Sequence, residues 1–416
     1  MKCARYQICE DRVLKICFVS HSAGRGRGAE KSLLDLVESL SRMGIECCVV
    51  LPYKGPLFEE LRYRGIEVVR TPFTWWMGYS RSELGEFTKP RIIRTLLFGS
   101  SIMQRTVRTI LHLLTVPLMA LVIRMRHCDV IYTNTMTVCV GALSARLLRR
   151  PHVWHIREFG REDFGLIFDL GERVALRLMD LLSSIIIANS QAVASKFRPF
   201  FGSKKVKVVY SSVTAKRKNV MNAFPVPKGT DVRCVTVGSI SKSKGQEDAV
   251  LATAELRRLG LQPILWIVGG TVDQDYERHL HLMVRDLGLQ KFVRFVGEMD
   301  DAFEAMLQVD VVLVCSRSEA LGRVTIEGML AGKPIVGTRS GGTLELIREG
   351  FNGLLYNPGD YRELADKICY LHDNPGEAQR MGENGREWAQ PRFSQTAFAT
   401  KVLCLLREVL HSKKDV

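Results

Sequence analysis

The chain has 416 residues, 46% of them hydrophobic and 25% charged, which is too much for one ordinary core and excludes a disordered or wholly membrane-embedded chain. The net charge is +15 and uneven: residues 1–220 carry 35 Lys and Arg against 18 Asp and Glu, and the remainder 24 against 26. Such a basic first half predicts an anionic partner for that half: a membrane surface, a phosphorylated substrate or nucleic acid.

The opening residues, MKCARYQICEDRVLK, place charges where the apolar core of a secretory signal would sit, so no signal peptide is expected. VLKICFVS (13–20) reads as a buried strand, followed by the loop HSAGRGRG, a helix over AEKSLLDLVESLSRMG ended by Gly44, and a strand IECCVVLP. This β–loop–α–β unit builds parallel sheets. DVIYTNT (129–135), HVWHIRE (152–158), SSIIIANS (183–190) and KVKVVYSS (205–212) continue it. Between them, Ile110–Ile123 (ILHLLTVPLMALVI) is apolar but short. Its length suits a core or interfacial helix better than a membrane span. Residues 214–230 hold Pro225, Pro227 and Gly229 without an apolar period and read as a linker. The alternation then restarts with VRCVTVGSIS, a helix through LATAELRRLG, PILWIVGG, a helix to Gly288, VRFVGEM, VDVVLVCS, IEGMLAG and PIVGT. The expected division is an N-terminal Rossmann-like domain over 1–213, a linker over 214–230, a second such domain over 231–390 and a C-terminal helix within 391–416. The eleven cysteines lack C-x-x-C spacing and sit mostly in apolar runs, as Cys17 and Cys315 do, so they read as reduced core thiols.

Chemistry concentrates in Ser316–Asp360. Glu319 and Glu327 form an E-x7-E, the first in the loop after a strand and the second inside the following helix. A carboxylate there accepts hydrogen bonds from vicinal sugar hydroxyls, and the helix start at Leu321, Gly322 and Arg323 offers backbone N–H groups to oxygen ligands. By spacing alone, two glutamates eight apart are equally explained by helix-dipole compensation.

The longer run contains the E-x7-E, AGKPIV (331–336), GGTLELI (341–347) and NGLLYNPGD (352–360) in order. It resembles the retaining GT-B glycosyltransferases of family four, the group-one glycosyl transferases. That resemblance implies an α/β fold of two Rossmann-like doubly wound domains facing a cleft. It assigns Glu319 to the donor sugar, the Leu321–Gly322–Arg323 backbone to sugar or phosphate, and Glu327 to the ribose hydroxyls. VGSISKSKGQ (237–246) is similar to the family's phosphate segment. Lys244 there matches the lysine that neutralises the donor diphosphate, but Ser239 stands where an arginine is usual. Gly269, the first glycine of PILWIVGG, joins the donor-side set. The loop HSAGRGRGAEKSLLDL resembles the family's glycine-rich turn, which implies that Gly26 and Gly28 approach the diphosphate. RRPHVWHIREFG resembles an H-x-R-E motif, which implies a catalytic role for His155, expected just after a strand and in contact with donor sugar or acceptor hydroxyl, and acceptor-side roles for Arg157 and Glu158.

A decoy is Asp273-Gln274-Asp275, a D-x-D that helix capping explains without a metal. The resemblance thus implies a metal-independent, retaining transferase with no cofactor. It would use a UDP-, GDP- or dTDP-sugar donor and a glycan or lipid-linked acceptor in cell-surface polysaccharide synthesis. The expected setting is cytoplasmic, peripheral on an anionic inner membrane face. Rivals are a GT-B-fold sugar-nucleotide epimerase or hydrolase and, remotely, a nucleic-acid-binding protein. The last lacks any helix-turn-helix, zinc or RNP motif, and nucleic acid is not an expected partner.

Overall fold

The computed structural model describes residues 13–24, 28–79, 102–202, 205–214, 226–299 and 302–411. The chain divides into two compact units. The first uses the chain up to Ser212 together with Ser394–Val416, and the second uses Val213–Phe393. Residues 215–225 of the expected linker lie outside the described residues.

The strands of the first unit are β1 (Lys15–Val19), β2 (Glu46–Leu51), β3 (Glu67–Arg70), β4 (Met77–Tyr79), β5 (Val130–Thr133), β6 (His152–Ile156), β7 (Leu166–Phe168), β8 (Ile185–Ala188) and β9 (Val206–Val208). Its helices are α1 (Gly28–Arg42), α2 (Pro56–Tyr63), α3 (Ile102–Met125), α4 (Val140–Leu147), α5 (Arg161–Phe164), α6 (Glu172–Leu182) and α7 (Gln191–Phe197). Seven strands form one sheet in the order β3-β2-β1-β5-β6-β8-β9, all paired parallel, and β4 pairs antiparallel with β7. Because helices cover both faces of a parallel sheet, its strands are buried on both sides. β1, β5, β6 and β8 are accordingly almost continuous apolar runs in the sequence.

The second unit holds β10 (Val232–Val237), α8 (Gln246–Arg258), β11 (Pro263–Val268), α9 (Gln274–Asp286), β12 (Val293–Gly297), α10 (Phe303–Leu307), β13 (Val311–Val314), α11 (Arg323–Leu330), β14 (Ile335–Thr338), α12 (Gly341–Leu346), β15 (Gly353–Tyr356), α13 (Tyr361–Asp373) and α14 (Pro375–Arg392). Its six parallel strands run in the order β12-β11-β10-β13-β14-β15. Strand β15 was not among the expected elements, because GLLY is short and sits inside a motif read for its loop residues.

The last helix, α15 (Gln395–His411), belongs to the first unit and packs on α1. Its Phe398, Val402 and Leu406 are fully buried in that unit's core, each contributing roughly 1.5–3 kcal/mol of apolar burial. Gln395 reinforces the join by donating its side-chain N–H to Asp35 Oδ1 at 2.7 Å.

The apolar helix read from the sequence as Ile110–Ile123 is longer than expected. α3 spans 24 residues, enough by length and composition to cross a membrane, and little of it is buried. Among its arginines, Arg108 is buried in a two-pronged ion pair with the equally buried Asp169, so it does not edge the helix toward solvent. The nine described cysteines are free thiols, seven of them buried.

Candidate functional site

In each large sheet the strand order reverses once: between β1 and β5 in the first, and between β10 and β13 in the second. The loops leaving the carboxyl ends of such neighbouring strands bound the crevice where open α/β sheets take ligands.

In the second unit the motif residues gather at that point. The chain leaves β10 through Gly238 and Ser239 and makes a short 3-10 turn over Lys242–Lys244. Gly245 then adopts φ +62°, and a Cβ there would lie 2.3 Å from the Cys315 carbonyl. Glycine thus lets the loop after β10 touch the end of β13. Across that contact Lys244 Nζ donates to Glu319 Oε2 at 2.7 Å. The lysine stem lies over Gly238, where a Cβ would be in ordinary contact with it, 3.6 Å from Lys244 Cδ. Burial pushes the Glu319 carboxyl up. The Lys244 charge, with donors from Ser316 and the Gly322 backbone, outweighs it and holds the group below the usual range.

Paired glycines support the Glu319 loop. A Cβ on Gly341 would meet the Glu319 carbonyl at 2.3 Å, one on Gly342 would meet the Leu321 carbonyl at 2.6 Å, and Gly342 N donates to that Glu319 carbonyl. The GGT run is therefore a bed on which Glu319–Leu321 lies, and larger residues would lift the loop. Gly322, at φ +86°, turns the chain into α11. Arg323 opens that helix, and its guanidinium stands 3.7 Å from Glu327 Oε1 one turn on, both side chains half-buried. Gly269 has a packing reason: a Cβ there would sit 1.9 Å from the Gly238 carbonyl. Ser239 brings no charge; its carbonyl accepts from Gln246 Nε2.

One contributor was not singled out in the sequence. Asp248, almost fully buried on α8, accepts from Arg317, from the Tyr356 hydroxyl and from Gly359 N. It thereby ties the NPGD turn and the Arg317 loop to the helix that follows Lys244. The only hint was an acidic residue in a helix's first turn, which usually means dipole compensation.

The D-x-D carboxylates serve their helix. Asp273 caps α9 by accepting from Tyr276 N, and exposed Asp275 pairs with Arg278. Among the described residues no cluster of metal-ligating side chains occurs.

The first-unit candidates are placed differently. Gly26 lies outside the described residues, and Gly28 is the exposed first residue of α1. His155 does not follow a strand: it lies within β6, paired with Ile187, and is completely buried. Its Nδ1 meets the Tyr132 hydroxyl and its ring faces Phe398 of α15. Burial, aided by the Arg157 charge, drives its basicity well below the usual histidine value. The ring is neutral and sealed in the core within β6, not at the strand end where the expectation put it. That expected position conflicts with the strand reading HVWHIRE (152–158), which already contains His155: β6 runs through Ile156, which pairs with Ala188. His152, read as core or surface, is likewise buried, against Thr133.

Arg157 and Glu158 follow β6, and both are buried. Arg157 donates to the Asn134 carbonyl and side chain and to Ser211. Glu158 accepts from the backbone N–H groups of Met136 and Arg157, and burial pushes its carboxyl up to about 8. The two residues brace the loop after β5.

Family matches cover both units. The family described as Glycosyltransferase Family 4 matches residues 26–217, and Glycosyl transferases group 1 matches residues 203–388. A glycosyltransferase of Methanocaldococcus jannaschii, MJ1178, whose function is not characterised, is 37% identical over 260 residues, 62% of this chain and 68% of that protein. The lipopolysaccharide core biosynthesis glycosyltransferase LpsE of Rhizobium meliloti is 28% identical over 222 residues, 53% of this chain. That alignment spans 63% of LpsE, so the chain covers less than two thirds of its length. Among solved structures, Anabaena HepE in complex with UDP superposes with a TM-score of 0.73 at 25% identity, over 95% of this chain and all of that one.

Proposed function

Because the chain belongs to the group 1 glycosyl transferases of family 4, with the paired parallel-sheet domains of GT-B enzymes, we propose that it transfers a sugar from a nucleotide-diphosphate donor to a glycan or lipid-linked acceptor in cell-surface polysaccharide synthesis. The observation that carries this reading is the Lys244–Glu319 pair at the β10/β13 reversal, with Arg323 and Glu327 on the adjoining helix.

As the bond from the sugar's anomeric carbon to the diphosphate breaks, the bonding pair leaves with the phosphate oxygen. A fixed ammonium stabilises that growing charge more than it stabilises the intact donor. The contact with Glu319 holds Lys244 in place for this role. Glu319 then meets the donor sugar, Glu327 accepts from the ribose hydroxyls, and the α11 start faces sugar or phosphate. Lysine and helix end together supply the charge a metal would otherwise bring, so the reaction proceeds without one; retained anomeric configuration is proposed from the family resemblance alone. UDP is the favoured nucleotide, since HepE was solved with it. With Ser239 in place of the usual arginine, the second cation for the phosphates is Lys242 or Arg323. The basic first half supports a cytoplasmic, peripheral position on an anionic membrane face.

The test is a thermal-shift panel of UDP-, GDP- and dTDP-sugars, followed by NMR of the product's anomeric proton in the presence of EDTA. A ligand present at a hundred times its Kd stabilises the fold by about 2.7 kcal/mol. No shift with any donor overturns the transferase reading. Inverted product, or activity lost to EDTA and restored by Mn²⁺, overturns retention or metal independence.

A further inference from the structure

Helix α3 is apolar on its outer side and only partly so on its inner one. Beside Met119, Ala120 and Ile123, its protein-facing side carries Arg108 and His112, both buried. The first is neutralised by Asp169 and the second hydrogen-bonded through Nδ1 to Thr74 Oγ1 at 3.0 Å. Its solvent-facing side carries Met103, Val107, Ile110, Leu114, Leu118 and Leu121, all exposed, Leu114 at 69%. Steps of three and four residues keep these six on one stripe, and the helix is about 36 Å long at 1.5 Å per residue. A water-facing helix places its charges outward; this one hides two polar side chains and shows aliphatic ones.

The arginines here that are exposed share one end, while Arg105 near the other is half-buried. α3 leads into β5 and the neighbouring α4 leads into β6, and β5 and β6 are paired, so both helices finish at the same sheet edge. There Arg124, Arg146, Arg149 and Arg150 are exposed beside exposed Met125 and Leu147.

We propose that α3 inserts its apolar stripe into the acyl layer of a lipid bilayer, lying along the interface with the arginine-bearing end against anionic headgroups. This deepens the peripheral-membrane reading above and rests on it for the identity of the partner, but it changes the force: hydrophobic insertion carries the binding and the arginines orient it. Two observations favour lipid over a second copy of the chain. The helix contains three arginines, of which Arg105 and Arg124 are not held by Asp169, and no acidic residue, so two copies laid together would juxtapose like charges without a carboxylate of the helix to pair them. The stripe is aliphatic, without the aromatic anchors that enrich protein interfaces, and disordered acyl chains require only apolar area.

The experiment uses the full chain with vesicles of zwitterionic phosphatidylcholine alone and with added phosphatidylglycerol, at low and high salt. The variant combines Leu114→Ser, Leu118→Ser and Leu121→Ser, all at exposed positions, with its melting temperature and UDP binding checked against the parent. Binding to neutral vesicles that survives high salt and falls at least tenfold in the variant is the expected result. A single Leu114→Trp should shift its fluorescence to the blue on vesicle addition and be quenched by brominated acyl chains. Binding only to anionic vesicles, lost in salt and unchanged in the variant, overturns insertion while leaving the electrostatic membrane reading intact. Failure to bind any vesicle overturns both; a dimer that the triple variant makes monomeric would then assign the stripe to a second copy.

Discussion

After β6 in the first unit, Arg157 and Glu158 turn inward and clamp the loop after β5 through backbone groups. After β13 in the second, Glu319 turns across the strand reversal toward Lys244, and its loop rests on Gly341 and Gly342. Both places follow a central parallel strand, and both carry motif-like charged residues. In one the charges complete the scaffold; in the other they remain half-exposed, paired with each other, and available to a ligand. A charged motif at a strand end therefore says only that the backbone there needs holding. Whether it also does chemistry depends on whether the charged heads are already occupied by the chain.

The largest effect that would sharpen this contrast is at Lys244. Lys244→Ala should lower kcat/KM on the order of a hundredfold or more while the melting temperature changes little, because the loss is confined to charge stabilisation at the leaving diphosphate. Activity surviving within about threefold would remove the lysine from the chemistry. Next is Glu327→Ala, expected to weaken UDP binding by roughly 1–3 kcal/mol, the range for hydrogen bonds to a charged group; unchanged affinity in calorimetry would exclude the ribose role.

In the first unit the expected losses are structural. His155→Gln should cost roughly 1–3 kcal/mol of stability through its buried hydroxyl partner, yet leave kcat per folded molecule within about twofold. A large kcat loss without destabilisation would break the comparison. The most gradual effect is a pH slope. His152, held down to about 3, and His155, held well below its usual value, stay neutral when folded because burial disfavours the charged ring. The unfolded chain protonates them below about pH 6.5. Their contribution is therefore fully present above that pH and is lost as pH falls toward 3, at about 1.4 kcal/mol per pH unit for each ring. Urea titrations between pH 7 and 4 on the parent and on His152→Gln should differ by one such slope; identical slopes would mean the ring is accessible.

Much of this was legible in the residues. VLKICFVS, PILWIV and VDVVLV announce buried parallel strands, because only a sheet covered on both faces tolerates such runs. Glu319 and Glu327 were legible because they share one continuous motif, and Lys244 because its own segment, VGSISKSKGQ, is similar to the family's phosphate segment, although its partner lies 75 residues on. Asp248 was not, since its partners Arg317, Tyr356 and Gly359 lie far along the chain. His155 misled because periodicity cannot mark where a fully buried strand ends. The sidedness of α3 was hidden for a related reason: an arginine reads as surface until its buried partner, Asp169, is placed.

The first unit is also discontinuous. Its core takes Phe398, Val402 and Leu406 from α15, and the whole second unit is strung between Ser212 and Ser394. During synthesis the second unit can finish while the earlier-made one still exposes the groove that α15 will fill. The half that leaves the ribosome first is then the last to close, and a chain stopped near residue 394 would lose the foundation of its oldest part rather than a dispensable tail.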